Sequence, residues 1–172
     1  MTKDEANALL IGAAEKGLVS DVQSALAAGA DAHADDDYAL NLASYNGHTE
    51  VIKILIEAGA DVHADDDYAL RMASNNGHAE LVKILIDVGA DIHALDDHAL
   101  AIANRKEHAE TVKILIEAGR WDEKCDDGCT YFERFKGNYP DEKLINQVEK
   151  YVYYSRNKKI FAQPYFVVKK KR

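Results

Sequence analysis

DDDYALNLASYNGHTEVIKILIEAGADVHA fills residues 35–64, and DDDYALRMASNNGHAELVKILIDVGADIHA follows directly over residues 65–94. A third copy, LDDHALAIANRKEHAETVKILIEAGR, starts at Leu95. Leu40, Leu70 and Leu100 fix a period of 30, as do Gly59, Gly89 and Gly119. A more diverged copy precedes them. It ends in Gly29-Ala30-Asp31-Ala32-His33-Ala34 and carries Gly17 one period before Gly47. Self-similarity at this period means stacked supersecondary units, none of which can bury its apolar face alone. Four units result, at about residues 5–34, 35–64, 65–94 and 95–120. The first and last diverge most, as end units facing water on one side must.

Each unit reads as two short helices. In the second, Asp37 is a candidate N-cap for a helix over Tyr38–Asn46, and Gly47 supplies the left-handed residue that ends it. Gly77 repeats the signal, whereas Glu107 replaces the glycine in the last unit and predicts local looseness there. The next helix spans about Thr49 to Ala58. Its Val51-Ile52 and Ile54-Leu55-Ile56 make a wide apolar stripe that must be covered on more than one side. Lys53 sits between Glu50 and Glu57 at surface-pair spacing, worth a few tenths of a kcal/mol.

The stretch Gly47-His48-Thr49-Glu50-Val51-Ile52-Lys53-Ile54-Leu55-Ile56-Glu57-Ala58-Gly59-Ala60-Asp61-Val62 resembles the second half of an ankyrin repeat almost position for position. The resemblance recurs in three units and covers residues 5–120. It implies an all-α ankyrin-repeat solenoid. Two departures stand out. The usual Thr-Pro-Leu-His opening is replaced by Tyr38-Ala39-Leu40-Asn41, Tyr68-Ala69-Leu70-Arg71 and His98-Ala99-Leu100-Ala101. The repeat is also about three residues short, which predicts a stubby connection in place of a long β-hairpin. This short form is similar to the ankyrin repeats of amoeba-infecting giant viruses, and a viral origin follows as an expectation. His48, His78 and His108 match the family's histidine after the turn, which implies a structural role.

In such arrays the first helices and finger tips line a concave face where partners bind. Carried over by position, the resemblance puts Tyr38, Asn41 and Tyr45, then Tyr68, Arg71 and Asn75, then His98 and Arg105 on that face. Tyrosine and arginine are enriched at binding hot spots. The competing reading is that Tyr38 and Tyr68 pack between fingers. The triplets Asp35-Asp36-Asp37 and Asp65-Asp66-Asp67, with Asp96-Asp97, read as helix capping plus solvation, or else as a lure for a basic partner. His33, His63 and His93 lie one repeat apart, on the order of 10 Å, too far to share a zinc ion.

Composition sets a boundary near residue 120. The 172 residues carry a net charge of −9, but residues 121–172 hold 12 Lys/Arg against 8 Asp/Glu, which leaves −13 on residues 1–120. Eleven of the 14 aromatic residues lie at or beyond Trp121. Pro140-Asp141-Glu142 opens a helix whose Leu144, Val148, Tyr151 and Val152 share a face, so residues 121–157 are expected to be helices capping the array. Residues 158–172 form a basic tail in which Pro164-Tyr165-Phe166-Val167-Val168 precedes Lys169-Lys170-Lys171-Arg172; a solubilising end, a docking peptide and an import or membrane-surface signal remain open. Cys125 and Cys129 have no second Cys/His pair near them for zinc, and a disulfide or free thiols both fit.

The expected function is a non-catalytic protein–protein interaction module that binds on the concave face. In the alternative, the C-terminal aromatic and basic segment binds and the repeats are scaffold. There is no Gly-rich phosphate loop, nucleophile motif or metal set to support an enzyme, and no cofactor or small-molecule substrate is expected. The acidic repeats favour a protein partner with a basic surface and disfavour nucleic acid or anionic membrane. No apolar run or N-terminal leader pattern stands out. Two cysteines fit a reducing, intracellular, cytoplasmic setting, the basic end leaves nuclear entry open, and a monomer is expected.

Overall fold

A computed structural model describes residues 1–119, 121, 130–139 and 141–157, the side chains of 153–157 excepted. Cys125, Cys129, Pro140 and the tail 158–172 lie outside the described residues, together with the expectations attached to them. Among the described residues there are ten α-helices and no strand. The chain divides into two compact units, Met1–Arg120 and Trp121–Arg172.

The first unit holds α1 (Lys3–Lys16), α2 (Val19–Ala27), α3 (Ala34–Asn46), α4 (Thr49–Glu57), α5 (Ala64–Asn75), α6 (Ala79–Asp87), α7 (Ala94–Arg105) and α8 (Ala109–Ala118). The odd-numbered helices pack side by side in one row, and each pairs with the even-numbered helix that follows it. This is the helical solenoid expected from the period. Its core repeats in register: Leu10, Leu40, Leu70 and Leu100 are buried in the first row, and Leu55, Leu85 and Leu115 in the second. Ala13, Ala43, Ala73 and Ala103 are buried as well, and their small side chains let neighbouring helices of the first row approach closely. The wide stripe of α4 is covered as predicted, with Val51, Ile52 and Leu55 buried and Ile54 and Ile56 partly so. Lys53 pairs with Glu50 at 3.4 Å and Lys113 with Glu110 at 3.7 Å, both on the surface.

The turns between the helices of a unit are built by two residues from different units. Gly47 has φ 76° and Gly77 φ 73°, the left-handed region where a side chain is strained. His78 lays its ring against Gly47 and donates from Nε2 to the Tyr45 carbonyl oxygen at 3.1 Å. His48 does the same at Gly17 with the Glu15 carbonyl (3.0 Å), and His108 at Gly77 with the Asn75 carbonyl (3.0 Å). Each histidine thus ties its unit to the preceding one. At Glu107 the expected looseness is absent. Glu107 itself adopts φ 62°, its N–H reaches the Asn104 carbonyl at 3.0 Å, and the His108 N–H reaches the Ala103 carbonyl at 3.0 Å. One period beyond His108 stands Asn138, so no further histidine of the ladder requires a bare glycine there.

The acidic triplets do not cap helices. Asp35, Asp36 and Asp37 all have positive φ, 53°, 56° and 58°, and so form a left-handed turn ahead of the right-handed helix 38–46. Asp65–Asp67 and Leu95–Asp97 repeat it. A connection three residues short has to reverse within three residues, and aspartate tolerates the left-handed region better than most non-glycine residues. The third aspartate of each turn is buried. Asp37 accepts from the Asp61 N–H of the next connection at 2.8 Å, and Asp67 from the Asp91 N–H at 2.7 Å. In the first unit Asn7 takes this place, accepting from Asp31 N–H at 2.8 Å. His33 Nδ1 meets the Asp37 carboxylate at 3.2 Å and His63 Nδ1 meets Asp67 at 3.1 Å, while His93 bonds Asp97 in the same way. The second histidine ladder therefore holds the connections.

The second unit holds α9 (Tyr131–Asn138) and α10 (Glu142–Asn157), which pack together. Thr130 opens α9 with a capping box, accepting from Glu133 N–H at 3.2 Å while Glu133 Oε2 accepts from Thr130 N–H at 2.8 Å. Asp141 accepts from Leu144 N–H at 3.0 Å at the start of α10. Buried Trp121 meets Phe135 edge-on with ring centroids 5.4 Å apart, and Leu144, Val148 and Val152 are buried along α10.

Candidate functional site on the inner helix row

One side of the row formed by α1, α3, α5 and α7, called the inner row below, is made of columns. Thirty-residue spacing aligns Ala8, Tyr38, Tyr68 and His98 in one column, and Ile11, Asn41, Arg71 and Ala101 in the next. A third holds Gly12, Leu42, Met72 and Ile102, and a fourth Glu15, Tyr45, Asn75 and Arg105. Tyr38 and Tyr45 lie two turns apart on α3, and each keeps about half its surface in water, 48% and 50%. Arg105 is exposed, while Tyr68, Asn75 and His98 are partly buried.

Asn41 lies beneath this surface. It is buried, its Nδ2 reaches the Asp36 carbonyl oxygen at a long 3.5 Å, and its Oδ1 has no partner. Tyr38 and the more covered Tyr68 differ in the same column. Over the Tyr68 ring, 5.0 Å from its centroid, sits the Arg71 guanidinium. Its Nη2 donates to the Asp65 carbonyl at 2.7 Å and its Nε to the Asp66 carbonyl at 3.2 Å. Arg71 therefore closes the left-handed turn from the side of α5. Arg71→Ala should destabilise the array by about 1–2 kcal/mol, the sum of two modest hydrogen bonds and a cation–π contact. Arg71→Lys should recover less than half of that, because an ammonium cannot span both carbonyls. Urea unfolding of the three proteins checks this.

Partial burial, followed by the charges of Arg71 and Arg105, holds the His98 imidazole below the usual histidine range. The α5–α7 end of the surface thus gathers two arginines around an imidazole that is largely uncharged at neutral pH. At the opposite end a groove of about 550 Å³ lies between α1 and α3, lined among others by Asp4, Ala8, Ile11, Asp35 and Tyr38. The first-unit residues of this groove were missed in the sequence, although subtracting 30 from Tyr38 and Asn41 leads to Ala8 and Ile11. A second shallow groove of about 380 Å³ runs between α6 and α8 on the other row, with Ile86 and Ile114 flanked by Lys83, Asp87, Glu110 and Glu117. Among the described residues no group of three or more His, Cys, Asp or Glu side chains is placed to hold a metal ion. No helix among them is long and apolar enough to cross a membrane.

A family model described as ankyrin repeats, in three copies, matches residues 10–96 and 70–133. Together these spans take in well over half of the chain. The chain belongs to the ankyrin-repeat family. No curated protein matches it. Ankyrin repeats are generally non-catalytic protein-interaction modules.

Proposed function

We propose that this ankyrin array binds another protein on its inner helix row, with Tyr38 and Tyr45 as the leading contacts and Tyr68, Asn75, His98 and Arg105 beside them. The observation that carries this reading is the pair of half-exposed tyrosines on one face of α3. Tyrosines so placed supply large, stiff, amphipathic contact area at low entropic cost. Residues 1–120 hold 9 Lys/Arg against 22 Asp/Glu, which steers a partner with a basic surface toward the array and works against nucleic acid.

The test is a double substitution, Tyr38→Ala with Tyr45→Ala, in the full chain. Partners are first identified by affinity capture and mass spectrometry, and binding is then measured by calorimetry. Affinity should fall at least about tenfold, a loss ordinary for hot-spot tyrosines, while the thermal midpoint stays within a few degrees. Unchanged affinity, combined with loss of binding when 158–172 are deleted, would transfer the function to the C-terminal segment and leave the repeats as its scaffold.

A further inference from the structure

Charge is not spread evenly over the inner row. Asp4 and Asp35 line the α1–α3 groove, and Glu15 occupies the column that ends in Arg105. That column reads Glu15, Tyr45, Asn75, Arg105, so its sign reverses along the array. The first residue of the left-handed turn changes in parallel. Asp35 and Asp65 give way to Leu95, which is 49% exposed. Asp65 itself is offset by Arg71, whose Nη2 lies 3.9 Å from its carboxylate. Arg105, exposed on α7, makes this end basic, with the largely uncharged His98 imidazole beside it. Between the ends lie Tyr45, Leu42 and Met72.

We infer that the inner row recognises an extended segment of its protein partner in one direction, with the segment's basic residues over the α1–α3 groove and its acidic residues over α5–α7. The inference rests on the inner-row reading above and adds the partner's chemistry to it. From the middle of the α1–α3 groove to α7 is two and a half helix spacings, roughly 20–25 Å at 8–10 Å each. An extended chain advances about 3.3 Å per residue. The segment therefore has a basic pair and an acidic pair about seven residues apart, with an apolar side chain midway to meet Tyr45, Leu42 and Met72. A segment laid in the other direction sets lysines against Arg105 and carboxylates against Asp4 and Asp35, a mismatch that opposes binding at both ends.

Three reagents test this on the full chain. The first is a fluorescein-labelled, terminally blocked nine-residue probe with two lysines at one end, a central leucine, two glutamates at the other end and serines between. The second has the same composition with lysine and glutamate interleaved at each end. The third is the block-charged probe with a nitroxide on its lysine end, read by broadening of backbone amide resonances. The block-charged probe should bind at least about tenfold tighter than the interleaved one and lose that advantage as salt rises. The nitroxide should broaden amides of α1 and α3 and spare α7. The double variant Asp4→Lys with Arg105→Glu should abolish the preference or move the broadening to α7. Equal binding of the two probes, broadening of both ends alike, broadening of α7 in the parent protein or no binding of either probe overturns the inference. If a captured protein partner still depends on Tyr38 and Tyr45 in that event, the inner-row function stands and only its charge direction fails.

Discussion

Gly47→Ala should destabilise the array by about 3 kcal/mol, far more than a single methyl group on a surface turn would suggest. Two costs add. Alanine at φ 76° sits in the left-handed region, which disfavours an L-residue by roughly 1–2 kcal/mol. A Cβ on Gly47 would also stand 2.6 Å from the His78 ring. That contact forces the ring away and strains or breaks its hydrogen bond to the Tyr45 carbonyl, worth about another 1 kcal/mol. The steric part belongs to the pair, so a double-mutant cycle isolates it. Adding His78→Ala to Gly47→Ala should cost at least about 1 kcal/mol less than the two single changes summed. Glu107→Gly is the control. It relieves a left-handed non-glycine residue at φ 62° and should be neutral or stabilise by up to about 1 kcal/mol. Urea unfolding followed by circular dichroism measures the four variants against the parent. A Gly47→Ala cost no larger than the conformational part alone would show that the ring does not depend on the glycine.

This coupling explains what could and could not be read from the residues. The helix pairs were legible because their glycines and apolar spacings recur every 30 residues, and α4, α6 and α8 begin where expected. The wide stripe of α4 announced its own burial, since Ile54 and Ile56 lie on different sides of the helix and both adjoin Leu55. The turn histidines were legible only as a ladder. That each ring needs the glycine of the preceding unit is a contact across units, and it also removes the reason to expect looseness at Glu107. The acidic triplets were misread for a chemical reason. An aspartate ahead of a helix looks like an N-cap whether its carboxylate bonds its own helix or, as Asp37 does, the N–H of Asp61 some 24 residues on. The left-handed turn could have been inferred from two facts taken together, the three-residue deficit and a run of the residue type that tolerates positive φ. On the inner row, the position-by-position resemblance pointed alike to Tyr45, Arg105 and Asn41; the first two are exposed and Asn41 is buried. Its column also holds Arg71 and Ala101, and whether such a position is open depends on what its neighbours cover.

Asp67→Ala should cost about 3 kcal/mol, whereas Asp67→Asn should stay within about 1 kcal/mol of the parent at neutral pH. Alanine removes the acceptor of the Asp91 N–H at 2.7 Å and the partner of His63 Nδ1 at 3.1 Å. An N–H left unpaired in a covered connection costs about 1–3 kcal/mol. Alanine must also hold φ 57° without aspartate's tolerance of that region. Asparagine keeps both the tolerance and the Oδ1 acceptor. It gives up only the charge, and the charge is not what the site favours. Burial raises the Asp67 carboxyl above its ordinary 3.8, against the lowering effect of the Asp91 N–H and His63. The folded chain therefore binds this proton more tightly than the unfolded chain does. The contribution of Asp67 to stability is complete below its ordinary value and declines as pH rises through the folded one. Asp67→Asn has no such decline, so the parent should gain relative to it when unfolding is measured near pH 3.5 in place of pH 7. The bond lost in Asp67→Ala also joins the third unit to the connection that leads into the fourth. In an array held by nearest-neighbour interfaces, weakening one of them uncouples what lies beyond it. Amide hydrogen exchange should therefore accelerate in α7 and α8 well before it does in α1 to α4. Uniform acceleration across all eight helices would mean that the Asp67 link stabilises the array only as a whole and does not join one unit to the next.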